Sequence, residues 1–275
     1  MSPSTHPARP LGPDAPRPIL IGVVHLLPLP GAPRYGGAMG EVLERAAADV
    51  EALFAGGVDG VIVENYGDVP FRPGRLEPET VAAMALAVER AIERAEGRPV
   101  GVNCLRNDAR AALGVCAATG ASFLRINVHS GAAVTDQGLI QGQADETLRE
   151  RARLGLDCDI LVDVHVKHAT PLGGGAIGDA ARDAFERGLA GGLIASGTGT
   201  GQAVASEDLE GIRDACPEAP LWIGSGLGLD NISEFRDSID GALVGSAFQR
   251  GGRAGNPVEV QRVRDLSRLW SGQRR

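Results

Sequence analysis

Apolar positions recur along the chain in two alternating rhythms. Short β-rich runs stand at 19–25, 60–64, 99–104, 122–129, 159–167, 191–196, 220–225 and 240–245, each too brief for a helix and mostly bounded by Gly, Pro or Asp. Between them lie stretches with helical spacing. Residues 41–55 set Val42, Leu43, Ala46, Val50, Leu53 and Phe54 on one stripe that stops at Gly56-Gly57. Pro78 suits the first turn of a helix carrying Val81, Met84, Ala85, Val88 and Ile92, and Asn256-Pro257 is expected to cap and begin the last helix. Strands alternating with helices predict a parallel sheet covered on both faces, either an open doubly wound sheet or a closed barrel. Eight units and two late glycine-rich strand ends favour the α/β (β/α)8 TIM barrel, with phosphate-binding loops after strands 7 and 8. The expected organisation is a flexible Pro-rich leader over 1–18 and a single barrel domain over 19–275.

Side-chain alternation assigns faces within these runs. In the fifth, Ile160, Val162, Val164 and Val166 share one face, and Asp159, Leu161, Asp163, His165 and Lys167 share the other. In the fourth, Leu124, Ile126 and Val128 oppose Arg125, Asn127 and His129. The polar faces are expected to point toward the barrel axis or its mouth.

Composition narrows the partners. The 275 residues match one barrel, and a hydrophobic fraction of 43% argues against disorder. A net charge of −8 gives no general attraction to nucleic acid or an anionic membrane, which leaves a small molecule as the expected partner. Cys104, Cys116, Cys158 and Cys216 contain no CxxC pair and read as buried reduced thiols. Pro3, Pro7, Pro10, Pro13, Pro16 and Pro18 leave no apolar run for a signal peptide, and no later stretch has the roughly 18 apolar residues of a spanning helix. The expectation is a soluble, cytoplasmic protein, homo-oligomeric by analogy with other small-residue barrels.

Two glycine-rich strand ends, Gly224-Ser225-Gly226-Leu227-Gly228 and Gly245-Ser246, fall where barrels of this kind commonly hold a phosphate on backbone N–H groups. Ser196-Gly197-Thr198-Gly199-Thr200-Gly201 could enlarge that cup or equally act as a lid, and plain tight turns are the alternative for the two strand-end clusters, against which two such turns at the appropriate strands favour phosphate binding. The predicted phosphate set is Ser196, Gly197, Thr198, Gly199, Gly224, Ser225, Gly226, Gly245 and Ser246. Polar groups converge at other strand ends. His25, Asn103, Arg125, Asn127 and His129 are candidate substrate contacts, against the alternative of structural ion pairs and hydrogen bonds. Glu64, Asp163, His165 and Lys167 are the candidate catalytic groups: carboxylates and an imidazole for proton transfer, and an amine for a phosphate contact or a Schiff base. No cofactor is required by the sequence. A divalent metal on His25, Asp163 and His165 is the fork kept open, since a D-x-H pair on one strand lacks an obligatory ligand count.

Longer strings carry a family likeness. His25-Leu26-Leu27-Pro28-Leu29-Pro30-Gly31, Val63-Glu64-Asn65-Tyr66-Gly67-Asp68-Val69-Pro70-Phe71, Asn103-Cys104-Leu105-Arg106-Asn107-Asp108, Thr135-Asp136-Gln137-Gly138-Leu139-Ile140 and Asp163-Val164-His165-Val166-Lys167-His168-Ala169 resemble signatures of the BtpA/SgcQ family. Cys104 stands where an aliphatic residue is expected, with Asn103 and Arg106 intact. The resemblance implies a phosphate-binding barrel in a family named for photosystem I accumulation that also has members tied to sugar metabolism. It carries no single reaction across. Two functions follow as expectations: an isomerase, lyase or nucleosidase acting on a phosphorylated sugar or nucleoside-like molecule, or a non-catalytic assembly or stability factor of the photosystem I type.

Overall fold

The computed structural model describes Leu11, residues 18–197, Gly199 and residues 201–271. In chain order its strands are β1 (Ile19–His25), β2 (Gly60–Glu64), β3 (Val100–Asn103), β4 (Phe123–Ile126), β5 (Ala132–Thr135), β6 (Gly138–Gln141), β7 (Asp159–Val164), β8 (Ala169–Pro171), β9 (Gly192–Ala195), β10 (Leu221–Ile223) and β11 (Gly241–Val244). Eight close a barrel in the order β1-β11-β10-β9-β7-β4-β3-β2, with every pairing parallel. The expected barrel is therefore present. Its helices are α1 (Met39–Gly56), α2 (Pro78–Ala95), α3 (Ala109–Thr119), α4 (Ala144–Arg153), α5 (Ile177–Arg182), α6 (Ser206–Ala215), α7 (Ile232–Phe235) and α8 (Val260–Ser271). The leader expected over 1–18 lies, except for Leu11 and Pro18, outside the described residues; Leu11 is buried in the inner core.

Local chemistry explains most boundaries. Helix α1 stops because Gly57 takes φ 100° and turns its N–H back to the carbonyls of Leu53 and Phe54. Pro78 opens α2 as expected. The last helix starts later than Asn256-Pro257. The Pro257 carbonyl accepts from Arg250 N–H and Val258 N–H donates to Asp49 Oδ1 at 2.8 Å, so both are committed elsewhere. Strand β7 ends at Val164 rather than Lys167, because His165 adopts the left-handed φ of 54° and ends the alternation. Strand β4 likewise stops at Ile126.

A second sheet has no counterpart among the sequence expectations. Strands β5, β6 and β8 form it, antiparallel, with Asp136-Gln137 as the hairpin turn and Gly138 at φ 94°. Ala133 and Ile140 pack beneath it on Val128 and Val166, next to the barrel's C-terminal end.

The barrel strands bury both faces. Outward residues such as Val63, Val102, Leu124, Ile160 and Val162 pack under the helices. The interior is filled by Ile19, Ile21, Val23, Ile62, Phe123, Leu161, Ile194, Trp222 and Leu243. Its two large rings fit because neighbouring strands carry glycine: a Cβ at Gly101 would lie 2.2 Å from the Phe123 ring, and one at Gly241 2.4 Å from Trp222. Two residues further along the same strands, the interior changes character. His25 follows Val23, Glu64 follows Ile62, Arg125 follows Phe123, Asp163 follows Leu161, and glycines 224 and 245 follow Trp222 and Leu243.

Candidate functional site

The upper interior layer is a buried, charged network. Arg125 grips Asp163 with two hydrogen bonds, Nε to Oδ2 at 3.0 Å and Nη2 to Oδ1 at 2.8 Å, and reaches Glu64 Oε1 with Nη1 at 3.3 Å. Asn103 donates to the same Glu64 oxygen at 3.1 Å. Asp163 also accepts from Asn127 Nδ2 at 2.7 Å and Ser196 Oγ at 3.0 Å. With four donors on it, this carboxylate holds Arg125 and Asn127 in place rather than standing ready as a base, a revision of the role expected for it. The Asp163 and Glu64 charges hold the Arg125 guanidinium firmly protonated despite its burial.

His25 occupies the opposite side of Glu64. Its Nδ1 receives Gln249 Nε2 at 2.9 Å and Gly255 N–H at 3.2 Å, and its ring stacks on Tyr66 with centroids 4.2 Å apart. With Nδ1 accepting from a backbone N–H, the neutral ring carries its proton on Nε2, 3.9 Å from Glu64 Oε2. Burial pushes His25 down to about 4 even though Glu64 pulls it up, so it is neutral at pH 7. Burial raises Glu64, but Arg125, His25, Lys167 and the Asn103 hydrogen bond outweigh it and hold the carboxyl below its usual value. Lys167 stands within the same field. Burial, then Arg125, lower its ammonium pKa, while Glu64 and Asp163 oppose them. Arg106, missed as a site residue, anchors the lysine's backbone by donating from Nη2 to its carbonyl at 2.7 Å.

Not every expected member joins. His165 leaves the inner face with its left-handed backbone; burial lowers its pKa and the charge nearest it in effect is Asp208 of α6. His129 turns away to the carbonyl of Gly188, 2.8 Å from Nε2. The three candidate metal ligands therefore separate: His25 sits on Gln249, Asp163 on Arg125, and His165 near α6. Among the described residues no three His, Cys, Asp or Glu side chains gather as a metal site. The four cysteines are free thiols and buried.

The three glycine-rich loops do converge. Gly197 N–H donates to Ser225 Oγ at 3.2 Å, and Gly226, at φ 75°, lies so close to the next loop that a Cβ would fall 1.9 Å from the Gln202 carbonyl oxygen. A substitution at Gly226 thus breaks loop packing as well as any anion approach. Gly224 gives room rather than a donor: its N–H is spent on Ala195 O at 2.8 Å, and a Cβ there would lie 3.0 Å from Arg125 Nη2. A Cβ at Gly245 would lie 3.2 Å from His25 Cε1. Ser246 begins a 3-10 turn (Ser246–Phe248), whose first N–H groups have no partner within the turn. Thr198 lies outside the described residues.

Gln249, Tyr66, Asn65 and Asp68 were not singled out by sequence. Asn65 and Asp68 brace the turn after β2, with Asn65 Nδ2 on Asp68 Oδ2 at 3.0 Å and Asp68 Oδ1 accepting from Leu29 N–H at 2.7 Å. Their spacing inside the 63–71 string was the available signal. Gln249 had none, being a lone amide after the last strand.

Comparison with known proteins adds lineage to this geometry. A family model described as BtpA family matches residues 17–271. The chain is 48% identical over 244 residues to "Photosystem I biogenesis protein BtpA" of Synechocystis, covering 89% of this chain and 85% of that one. It is 41% identical over 250 residues to an uncharacterized protein of Pyrococcus furiosus, covering 91% and 94%. Among solved structures, KGPDC from Streptococcus mutans superposes with a TM-score of 0.54 at 14% identity, covering 93% of this chain and all of that one. That likeness is one of fold.

Proposed function

The chain belongs to the BtpA family, and from that premise we propose that it is an enzyme acting on a phosphorylated sugar or nucleoside-like molecule by acid–base chemistry of the isomerase, lyase or nucleosidase kind. The observation that carries this reading is contiguity. The glycine loops suited to a phosphate press directly on the charged layer, Gly224 against Arg125 and Gly245 against His25. A phosphate held there by Ser225, Gly226 and Ser246 would deliver the carbon beyond it to Glu64, His25 and Lys167. Glu64, ionised and with Oε2 not taken by the Arg125 and Asn103 donors that hold Oε1, is the base. His25 offers Nε2–H to a substrate oxygen, and Arg125 supplies fixed positive charge for an anionic transition state. Asp163 positions Arg125. Lys167, desolvated beside these groups, is the amine that would form a Schiff base if the substrate presents a carbonyl.

The name of the cyanobacterial relative favours a second reading, an assembly factor. Burying this array weighs against it, because a buried ion pair rarely adds stability over apolar residues of the same volume. A scaffold would gain nothing from it. Mass spectrometry of a phosphorylated-metabolite library incubated with the protein tests the choice: conversion or capture of a phosphorylated compound, lost in Glu64→Gln, supports the enzyme. Photosystem assembly sustained by Glu64→Gln, with no compound converted or captured by the unmodified protein, favours the factor.

A further inference from the structure

The turn after β3 is clamped by its own polar side chains, all but one of them tied to backbone. Asn65 holds Leu105 by both backbone groups, Nδ2 donating to its carbonyl at 3.1 Å and Oδ1 accepting its N–H at 2.7 Å. Asn107 does the same to Val128, at 2.8 Å each way. Asp108 caps α3 at Ala111 N–H and also accepts from Leu76 N–H. Within this frame stands Arg106, 4% exposed. Its Nη2 reaches the Lys167 carbonyl at 2.7 Å, so the guanidinium joins the segments that follow β3 and β7 and passes the end of β4, which lies between those strands in the barrel. The charges acting on it are those of Asp163, Asp136, Arg125 and Glu64, three of which belong to the barrel interior.

Arg106 has no ion pair among the described residues. Asp163 and Glu64 are engaged by Arg125, and Asp136 is an exposed turn residue bonded to Gln137. The Lys167 ammonium likewise has no hydrogen bond or ion pair among the described residues, and Arg125 and Arg106 both repel it. No nitrogen of either side chain is among the sealed polar atoms without a partner, so their unused donors stay open to solvent. Two neighbouring cations with no anion on them are costly, and an incoming anion removes that cost. The one hydrogen bond to a carbonyl does not require a guanidinium, since a neutral amide could donate it. Charge balance selects the anion. With His25 neutral, Arg106, Arg125 and the Lys167 ammonium face Glu64 and Asp163, which leaves one positive charge uncompensated. A carboxylate matches that single charge and the fork of the guanidinium, whereas a phosphate dianion exceeds it. In the ring of strands β3 stands opposite β10, so the turn carrying Arg106 lies across the mouth from the 224–228 loop.

We propose that Arg106 and Lys167 form a carboxylate-binding subsite across the barrel mouth from the glycine loops, which makes the substrate a phosphorylated carboxylic acid held at both ends. The far end rests on the phosphate-anchored reading above; the carboxylate end rests on the two unpartnered cations.

The test compares 6-phosphogluconate with glucitol 6-phosphate, which differ only in a carboxylate against a hydroxymethyl group, by calorimetry and by titration into the full-length ¹⁵N-labelled protein. The acid should bind about tenfold tighter. Both compounds should shift the amide signals of residues 225–228 and 246–247, and only the acid those of 105–108 and 166–168. Arg106→Gln should bring the two affinities within about twofold of each other; if that variant loses spectral dispersion, Arg106→Met is read in its place. Equal binding of the two compounds by the unmodified protein, or a preference for the acid that survives the loss of Arg106, would overturn the subsite. So would the absence of any shift at 105–108 with 6-phosphogluconate and with gluconate. Gluconate, which has no phosphate, separates the two readings: shifts at 105–108 with it, and none at 225–228 or 246–247 with either phosphorylated compound, would overturn the phosphate reading and leave the carboxylate subsite standing.

Discussion

The lower and upper halves of the barrel interior are built by the same strands two residues apart, yet they answer to different demands. Below, Ile62, Phe123, Leu161, Ile194, Trp222 and Leu243 interlock as an apolar layer. Above, Glu64, Arg125, Asp163 and Ser196 form a hydrogen-bonded charged layer under two glycine loops. Full burial of each large apolar side chain contributes about 1.5–3 kcal/mol. Burying ions at best recovers their desolvation. The lower layer therefore accounts for folding, and the upper one adds no comparable stability.

The difference can be broken most sharply at Arg125. Arg125→Met strands two buried carboxylates and should cost about 3–5 kcal/mol in denaturant unfolding. Phe123→Ala in the lower layer should cost a similar or slightly smaller amount, about 3–4 kcal/mol, yet leave ribose 5-phosphate affinity by calorimetry within twofold at temperatures where the variant is folded. Acid should loosen the upper layer first. His25 titrates near 4 in the fold against 6.5 ordinarily. The unfolded chain thus binds the proton first, and stability that is complete above pH 6.5 falls as pH drops toward 4, by about 3 kcal/mol in all. Glu64, held low in the fold, adds a further loss that begins as pH falls below its ordinary value of 4.5 and is complete once pH has passed its depressed folded value. Unfolding curves of His25→Gln should be flatter across that window; an unchanged slope would remove His25 as the cause. At the small end, Gly245→Ala, whose Cβ would reach His25 at 3.2 Å, should weaken ribose 5-phosphate binding several-fold with a stability change below about 1 kcal/mol.

Period-two alternation made the interior of both layers legible, since Leu161 and Asp163, or Phe123 and Arg125, differ only in position along one strand. It failed where backbone geometry departs from the strand. His165 was placed inward by counting, but its left-handed φ turns it out, and no residue type announces that in advance for a histidine. His129 failed similarly, because β4 ends before it and Gly188 captures the ring. The β5–β6–β8 sheet went unread because four-residue strands after β4 carry little periodicity, although Asp136-Gln137-Gly138 marked a turn. Gln249 acts on His25 from 224 positions away, a relation only the closed barrel creates.

The division between the layers is tested most directly by emptying the upper one of charge without emptying it of volume. The triple variant Glu64→Gln, Arg125→Met, Asp163→Asn should unfold at a denaturant midpoint equal to or above that of the unmodified protein, because neither a carboxylate nor the guanidinium is left without its partner and the desolvated Lys167 amine can shed its proton, while losing at least roughly 100-fold in conversion of the phosphorylated compound found by mass spectrometry. A triple variant as unstable as Arg125→Met alone, or one that converts that compound at the original rate, would contradict the account.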